Sequence, residues 1–290
     1  MHLTLGILRT FQAFFYALSF LWLDGFAVPA PAQVTQAVGQ FLANIIREIN
    51  MASVPDHIKI KLENAAGFHS RIKETCLVHI DSPKEENLKR ISVYIGEMAQ
   101  SLRSALNNSL WDFCENKIKG IVDSGEYNKI KWSHDFPIES DKESFEKSKS
   151  RALRHIAHNY EKVYQFLETI QPYHKGYDFL GKLKVFSNDT SHTIPVKVQD
   201  MNITQMVFPG FSAPVIRGNE VIIQWSKNHP ASSYPIPSYV DEMTMYISTE
   251  KKWKMFLMTI DGEAHFSPTP FSKGTPSNVS KLIAEFYALW

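Results

Sequence analysis

From Ile58 to Cys76 apolar positions return every three or four residues: Ile58, Leu62, Ala65, His69, Ile72 and Cys76. A strand cannot use that period, because its side chains alternate faces every second residue. The residues line one stripe of a helix that starts near Ser53-Val54-Pro55. A second stripe, Leu88, Ile91, Ile95, Met98, Leu102 and Ala105, follows Ser82-Pro83-Lys84-Glu85. That tetrad reads as a capping box with proline at the first helical position. A third stripe, Leu153, Ile156, Tyr160, Val163, Leu167 and Ile170, follows a second such box, Ser140-Asp141-Lys142-Glu143, and stops at Pro172. Val34–Asn50 supplies a fourth, with Val34, Val38, Phe41, Ile45 and Ile49 on one face. Stripes spaced three and four apart pack antiparallel helices at shallow angles, so a four-helix bundle over residues 34–172 is the expectation.

The second stripe slips at Asn107-Asn108-Ser109. Beyond it the apolar positions resume as Trp111, Cys114, Ile118 and Ile121, out of phase by two residues. Asparagine pairs favour turns over helix interiors, so a bend is predicted there. The bend bears on Cys76 and Cys114, the two cysteines of the chain. They are a disulfide candidate only if the chain folds back between them, since bridged Cα atoms lie within about 7 Å. Both sit in apolar stripes, where a thiol is ordinarily a small buried hydrophobe rather than a nucleophile.

After Pro172 the apolar residues come in short runs bounded by Gly, Pro and Asn. Lys182–Phe186, Ile194–Val198, Ile203–Phe208, Glu220–Trp225, Met243–Ser248 and Trp253–Ile260 read as strands, the last two joined by a hairpin at Thr249-Glu250-Lys251-Lys252. Thr275-Pro276 opens a final helix with Val279, Leu282, Ile283 and Phe286 inward. Ser124 to Glu139 reads as a polar connector. The fold class expected is α+β: an N-terminal helical bundle (34–172), then a mainly antiparallel β-domain with a C-terminal helix (176–290).

Ahead of the bundle, Met1–Arg9 carries a positive charge and Phe11–Leu23 is apolar. That run is shorter than the ~20 residues a bilayer core needs. Gly25-Phe26-Ala27 places small residues where a signal peptidase cuts. Residues 1–27 are therefore expected to be a signal peptide, 28–33 a Pro/Ala linker, and the released chain secreted, without a stable membrane anchor. Net charge is +1, with no basic excess of the kind nucleic acid selects. Four sequons, at Asn107, Asn188, Asn202 and Asn278, are glycosylation candidates in a eukaryotic secretory pathway.

Catalytic signals are sparse. Asp261, Glu263 and His265 alternate within Asp261-Gly262-Glu263-Ala264-His265, where two carboxylates and an imidazole could do acid–base work. His155 and His158 share a helix face with Arg151 and Arg154, which repel a cation, so no metal site is assigned to them. His69 falls inside the first stripe, where a hydrogen-bonded boundary role is expected. Gly176 to Leu183 fits Gly-x4-Gly-Lys, but Leu183 stands where a phosphate loop carries its metal-binding hydroxyl. No cofactor is implied.

The leader Met1–Ala27, the Ala27-Val28-Pro29-Ala30-Pro31-Ala32 start and a body without catalytic motifs resemble orphan secreted effector candidates of filamentous fungal pathogens. The resemblance implies a host-protein target and uptake into host cells. The leading functional expectation is a secreted, non-catalytic interaction protein with a protein partner. One alternative is a secreted hydrolase with its site in the β-domain. Another is a carrier of an apolar ligand, lined by Phe179, Trp225, Trp253 and Phe256.

Overall fold

A computed structural model describes residues 51–131, 135–148, 150–192, 197–203, 215–217, 220–224, 242–247, 253–260 and 263–290. The expected leader, the linker, the helix at Val34–Asn50 and Asp261 lie outside these residues. The chain divides into two compact units, Met1–Val54 and Pro55–Trp290. In the first, the described residues 51–54 form a turn closed by the Val54 amide on the Met51 carbonyl at 3.2 Å. All other described residues belong to the second.

The first two elements of this second unit are α1, Asp56–Asp81, and α2, Glu85–Phe113. Pro55 sets the extended backbone before α1, and Asp56 places a negative charge on the first turn. The Ser82 capping box does not form. Ser82 instead closes α1, its amide bonded to the Val78 carbonyl at 2.9 Å, and α2 starts at Glu85 without a side-chain cap. Ion pairs Glu85–Lys89 and Glu86–Arg90, four residues apart, support that first turn instead. The two helices form a tightly packed hairpin. Ile58, Leu62, Ala65, Ile72 and Cys76 are buried on α1, and Ile91, Ile95, Met98, Leu102 and Ala105 on α2, as their spacing requires.

The bend predicted at Asn107-Asn108-Ser109 is absent, because α2 runs through it unbroken. The apolar stripe is carried across by Leu106, Ser109, Leu110 and Phe113, all buried. Ser109 is accommodated by donating its hydroxyl to the Ala105 carbonyl at 2.9 Å. The phase changes later, in a π-helical turn at Cys114–Ile118. Such a turn inserts a residue into the helical ladder and rotates the positions beyond it. Side chains tie this widened turn down: Asn116 donates to the Asp112 carbonyl at 2.8 Å and Tyr160 to the Lys117 carbonyl at 2.7 Å. Trp111 is half-buried against Tyr127, ring centroids 5.9 Å apart.

Next come α3 (Ser124–Lys131), α4 (Lys142–Glu146), α5 (Arg151–Asn159) and α6 (Glu161–Thr169). The expected long helix up to Pro172 is these last three pieces. Asp141 rather than Ser140 caps α4, accepting from the Ser144 amide at 2.8 Å. Ser150 caps α5. Tyr160, with φ −139° and ψ 64°, separates α5 from α6. Leu153, Ile156, Val163, Leu167 and Ile170 are nevertheless buried.

Gly176, at φ 96°, turns the chain into α7, Asp178–His192. Lys182–Phe186 is therefore helix and not strand. Leu180, Leu183 and Phe186, three apart, form its buried edge. Gly181 lets this helix approach Pro172, since a Cβ there would meet the proline Cβ at 3.3 Å. The strands are β1 (Lys197–Ile203), β2 (Val215–Arg217), β3 (Glu220–Gln224), β4 (Glu242–Ile247), β5 (Trp253–Ile260) and β6 (Glu263–Phe266). They form one antiparallel sheet in the order β1-β5-β4-β3-β2, with β6 on β5. β4 and β5 pair antiparallel through Tyr246↔Lys254 and Ile247↔Trp253, one residue off the register that a four-residue loop at 249–252 would set; that loop lies outside the described residues.

The last helix, α8, spans Pro268–Tyr287, opening earlier than Thr275 and carrying Pro276 inside it. Helix α2 is central: α1, α7, α8 and β1 all pack on it, and α8 also touches β4 and β5. The described chain is thus mainly helical with a smaller antiparallel sheet, rather than a bundle followed by a substantial β-domain. The helices packed on α2 come from both ends of the unit. No described helix is long and apolar enough to cross a membrane.

Candidate functional site

Between α3 and α4, Asp135-Phe136-Pro137-Ile138-Glu139 has no regular secondary structure. Pro137 brings no N–H and biases Phe136 toward extended backbone. Phe136 and Ile138 are each only 1% exposed. The main chain of this strap therefore has to find partners inside the fold.

Three side chains supply them. Asn107 of α2 accepts from the Phe136 amide at 3.0 Å and donates to the Asp135 carboxylate at 2.8 Å. Gln171, fully buried just after α6, accepts from the Glu139 amide at 2.8 Å. Its NH2 donates to the carbonyls of Pro137 at 3.1 Å and Leu167 at 2.6 Å. Lys184 of α7 donates to the Ile138 carbonyl at 2.6 Å and pairs with Glu139 at 3.3 Å. Phe136 packs edge-on against Phe286 of α8, centroids 6.4 Å apart. Arg103 lies one turn before Asn107. Burial pulls its guanidinium below the ordinary arginine value, while Asp135 and Glu139 act on its charge in the opposite sense. Its Nη1 is buried and has no hydrogen-bond partner among the described residues.

This arrangement reads the backbone of a short non-helical segment, seats two apolar side chains, and presents cations to the carboxylates that flank them. Sequence reading missed it, treating Ser124–Glu139 as a polar connector. The available signal was the apolar island Phe136-Pro137-Ile138 between two acids.

The expected site residues lie elsewhere. Cys76 and Cys114 are both buried, and no disulfide joins them. Cys76 is near the end of α1 and Cys114 follows the far end of α2, which at about 1.5 Å per residue is roughly 40 Å away along the hairpin. Burial, with Glu115 adding to it, pushes the Cys114 thiol up to about 12, far from a reactive thiolate.

His69 meets Ser272 of α8, Nδ1 to Oγ 3.0 Å. The same hydroxyl lies 3.0 Å from the Thr269 carbonyl, to which it donates. His79, 3% exposed, holds its Nδ1 3.1 Å from the Lys84 carbonyl, with Asp200 of β1 3.4 Å from its Nε2 and the Phe256 ring at 5.6 Å. It ties the α1–α2 turn to the sheet. His155 reaches Glu126 of α3 at 3.5 Å, beside a bidentate Arg151 at 3.0 Å, and His158 is exposed. These pairs, Arg151 first, hold Glu126 below its ordinary carboxylate value. His174 bonds Glu168 at 2.9 Å, with the Tyr173 hydroxyl on the same oxygen at 3.2 Å. Among the described residues no group of three His, Cys, Asp or Glu side chains could hold a metal ion.

Glu263 and His265 fall on β6, paired to β5 through Ile260↔Glu263, and Asp261 is outside the described residues. Of the carrier residues, Phe179 and Phe256 are buried, Trp253 begins β5 and Trp225 is not described. Among the sequons, Asn278 is exposed on α8, Asn107 is engaged by the strap, and Asn188 and Asn202 lie on α7 and β1. No family model, curated protein or solved structure matches this chain.

Proposed function

We propose that the chain is a secreted, non-catalytic interaction protein that holds a protein partner, as a pathogen effector holds a host protein. The observation that supports this most is the strap. The best-built polar constellation in the described residues reads peptide backbone through Asn107, Gln171 and Lys184. In the same fold, His69, His79 and His155 each bridge separate elements, a use that stiffens a scaffold. Secretion rests on the leader, with release near Val28 and glycosylation at the exposed Asn278.

The test is expression of the full chain in a eukaryotic secretory host. Amino-terminal sequencing of the medium product should begin within a few residues of Val28, and intact Met1 would refute secretion by cleavage. The same product should leave panels of chromogenic ester, glycoside and peptide substrates unchanged. Turnover of any of these substrates would displace the interaction reading.

A further inference from the structure

We infer that the groove under the strap is a docking site for an external peptide of the pattern acidic–aromatic–proline–aliphatic–acidic, a site that residues 135–139 occupy in the free chain. The inference rests on the interaction reading above and names the partner's chemistry.

Three features carry it. First, the groove recognises groups that any peptide offers. Asn107 takes the Phe136 amide, Gln171 takes the Glu139 amide and the Pro137 carbonyl, and Lys184 takes the Ile138 carbonyl. All of these contacts come from side chains, so nothing in them requires the bound segment to be part of the same chain. Second, selectivity is built in. Phe136 and Ile138 are seated in the core, Pro137 pre-sets the backbone, and Lys184 meets the acid that follows. Third, the strap leaves one demand unmet. The Arg103 Nη1 is buried without a hydrogen-bond partner among the described residues, although two strap carboxylates lie within reach of its field. The strap is tethered to α3 and α4 at either end. A free peptide is not, and can set a carboxylate on the guanidinium that the tethered one does not bond.

The strap competes at the high effective concentration of a tethered ligand, so an external peptide binds in proportion to the fraction of chains whose groove is open. Weakening the strap at its ends, away from the core, should therefore raise apparent affinity. Asp135 is exposed and Glu139 is half-buried, so both can be changed without emptying the core.

The experiment uses the full mature chain and a fluorescein-labelled peptide Asp-Phe-Pro-Ile-Glu-Ser, the sequence of residues 135–140. Fluorescence polarisation is read for the wild type, for Asp135→Asn/Glu139→Gln, and for Arg103→Gln, against a scrambled peptide. Mass spectrometry of the peptide after incubation accompanies each titration. The expected result is saturable binding of intact peptide, several-fold tighter in the double variant and at least tenfold weaker in Arg103→Gln. If the double variant melts below the assay temperature, Glu139→Gln alone, which keeps the Asn107–Asp135 bond, replaces it. Arg103→Lys likewise replaces a poorly folded Arg103→Gln. Intact peptide with no saturable binding to the folded wild type and strap variants overturns the docking site and leaves the interaction reading standing. Binding that Arg103 variants do not weaken also overturns it. Cleavage of the peptide refutes the non-catalytic reading itself.

Discussion

Asn107 and Asp135 meet at 2.8 Å across 28 positions of sequence, on a helix that passes without a break through the asparagine pair. The same amide accepts from the Phe136 main chain. A residue suited to ending a helix is used instead to hold a strap against it.

Gln171 should matter more than its residue type suggests. It is fully buried and makes three hydrogen bonds, two of them to the strap. Gln171→Ala leaves buried backbone groups unpaired and should cost about 2–4 kcal/mol. The exposed Gln165→Ala should change stability by no more than about 0.5 kcal/mol. Urea unfolding of both variants checks the contrast, and equal effects would contradict the assignment.

The thiols should be silent in the native state. Ellman's reagent should find none in the folded chain and both after unfolding. Reduction should leave the melting temperature unchanged. A melting temperature that falls on reduction would show a bond between Cys76 and Cys114.

Glu168 gives a pH dependence with a definite sign. The His174 hydrogen bond, then that of Tyr173, hold its carboxyl below its ordinary value. A group whose folded value is depressed stabilises above the unfolded carboxylate range and loses that contribution as pH falls through the folded value. Glu168→Gln should thus cost more stability at about pH 6 than at about pH 2.5, below the ordinary carboxylate range. Chemical denaturation of wild type and variant at the two pH values measures it. An equal cost at both would refute the pairing.

Tyr287 predicts the opposite end of the scale. Burial first, and the 2.7 Å bond to Asp112 second, raise its phenol above the ordinary tyrosine value. The unfolded chain then ionises first as pH rises, so stability present below about pH 10 is lost above it. Tyr287→Phe should cost about 1–2 kcal/mol at neutral pH. Its stability should also fall less steeply than that of the wild type in alkali. Parallel alkaline profiles would count against the Tyr287–Asp112 link.

Part of the fold was legible in the sequence, for physical reasons. The stripes Ile58–Cys76 and Ile91–Ala105 are buried as read, because a long 3–4 spacing fits only a helix. The phase slip was real but misplaced. Leu106, Leu110 and Phe113 carry the stripe past the asparagines, and the slip is absorbed at Cys114–Ile118, a π-turn that no local propensity announces. Lys182-Leu183-Lys184-Val185-Phe186 alternates like a strand, yet Leu180, Leu183 and Phe186 also fit a helix, and packing on α2 and Pro172 decides for the helix. The strap was invisible because its partners, Arg103, Asn107, Gln171 and Lys184, are scattered through three helical regions. Only the fold brings them together.

Amide hydrogen exchange at Phe136 and Glu139 tests the strap most directly. Both amides donate to side chains, Asn107 and Gln171, outside any helix or strand. In the folded wild type they should exchange at least about a hundredfold more slowly than an unstructured peptide. Asn107→Ala should release Phe136 while Glu139 stays protected. Exchange of both amides at unstructured rates in the folded wild type would contradict the account.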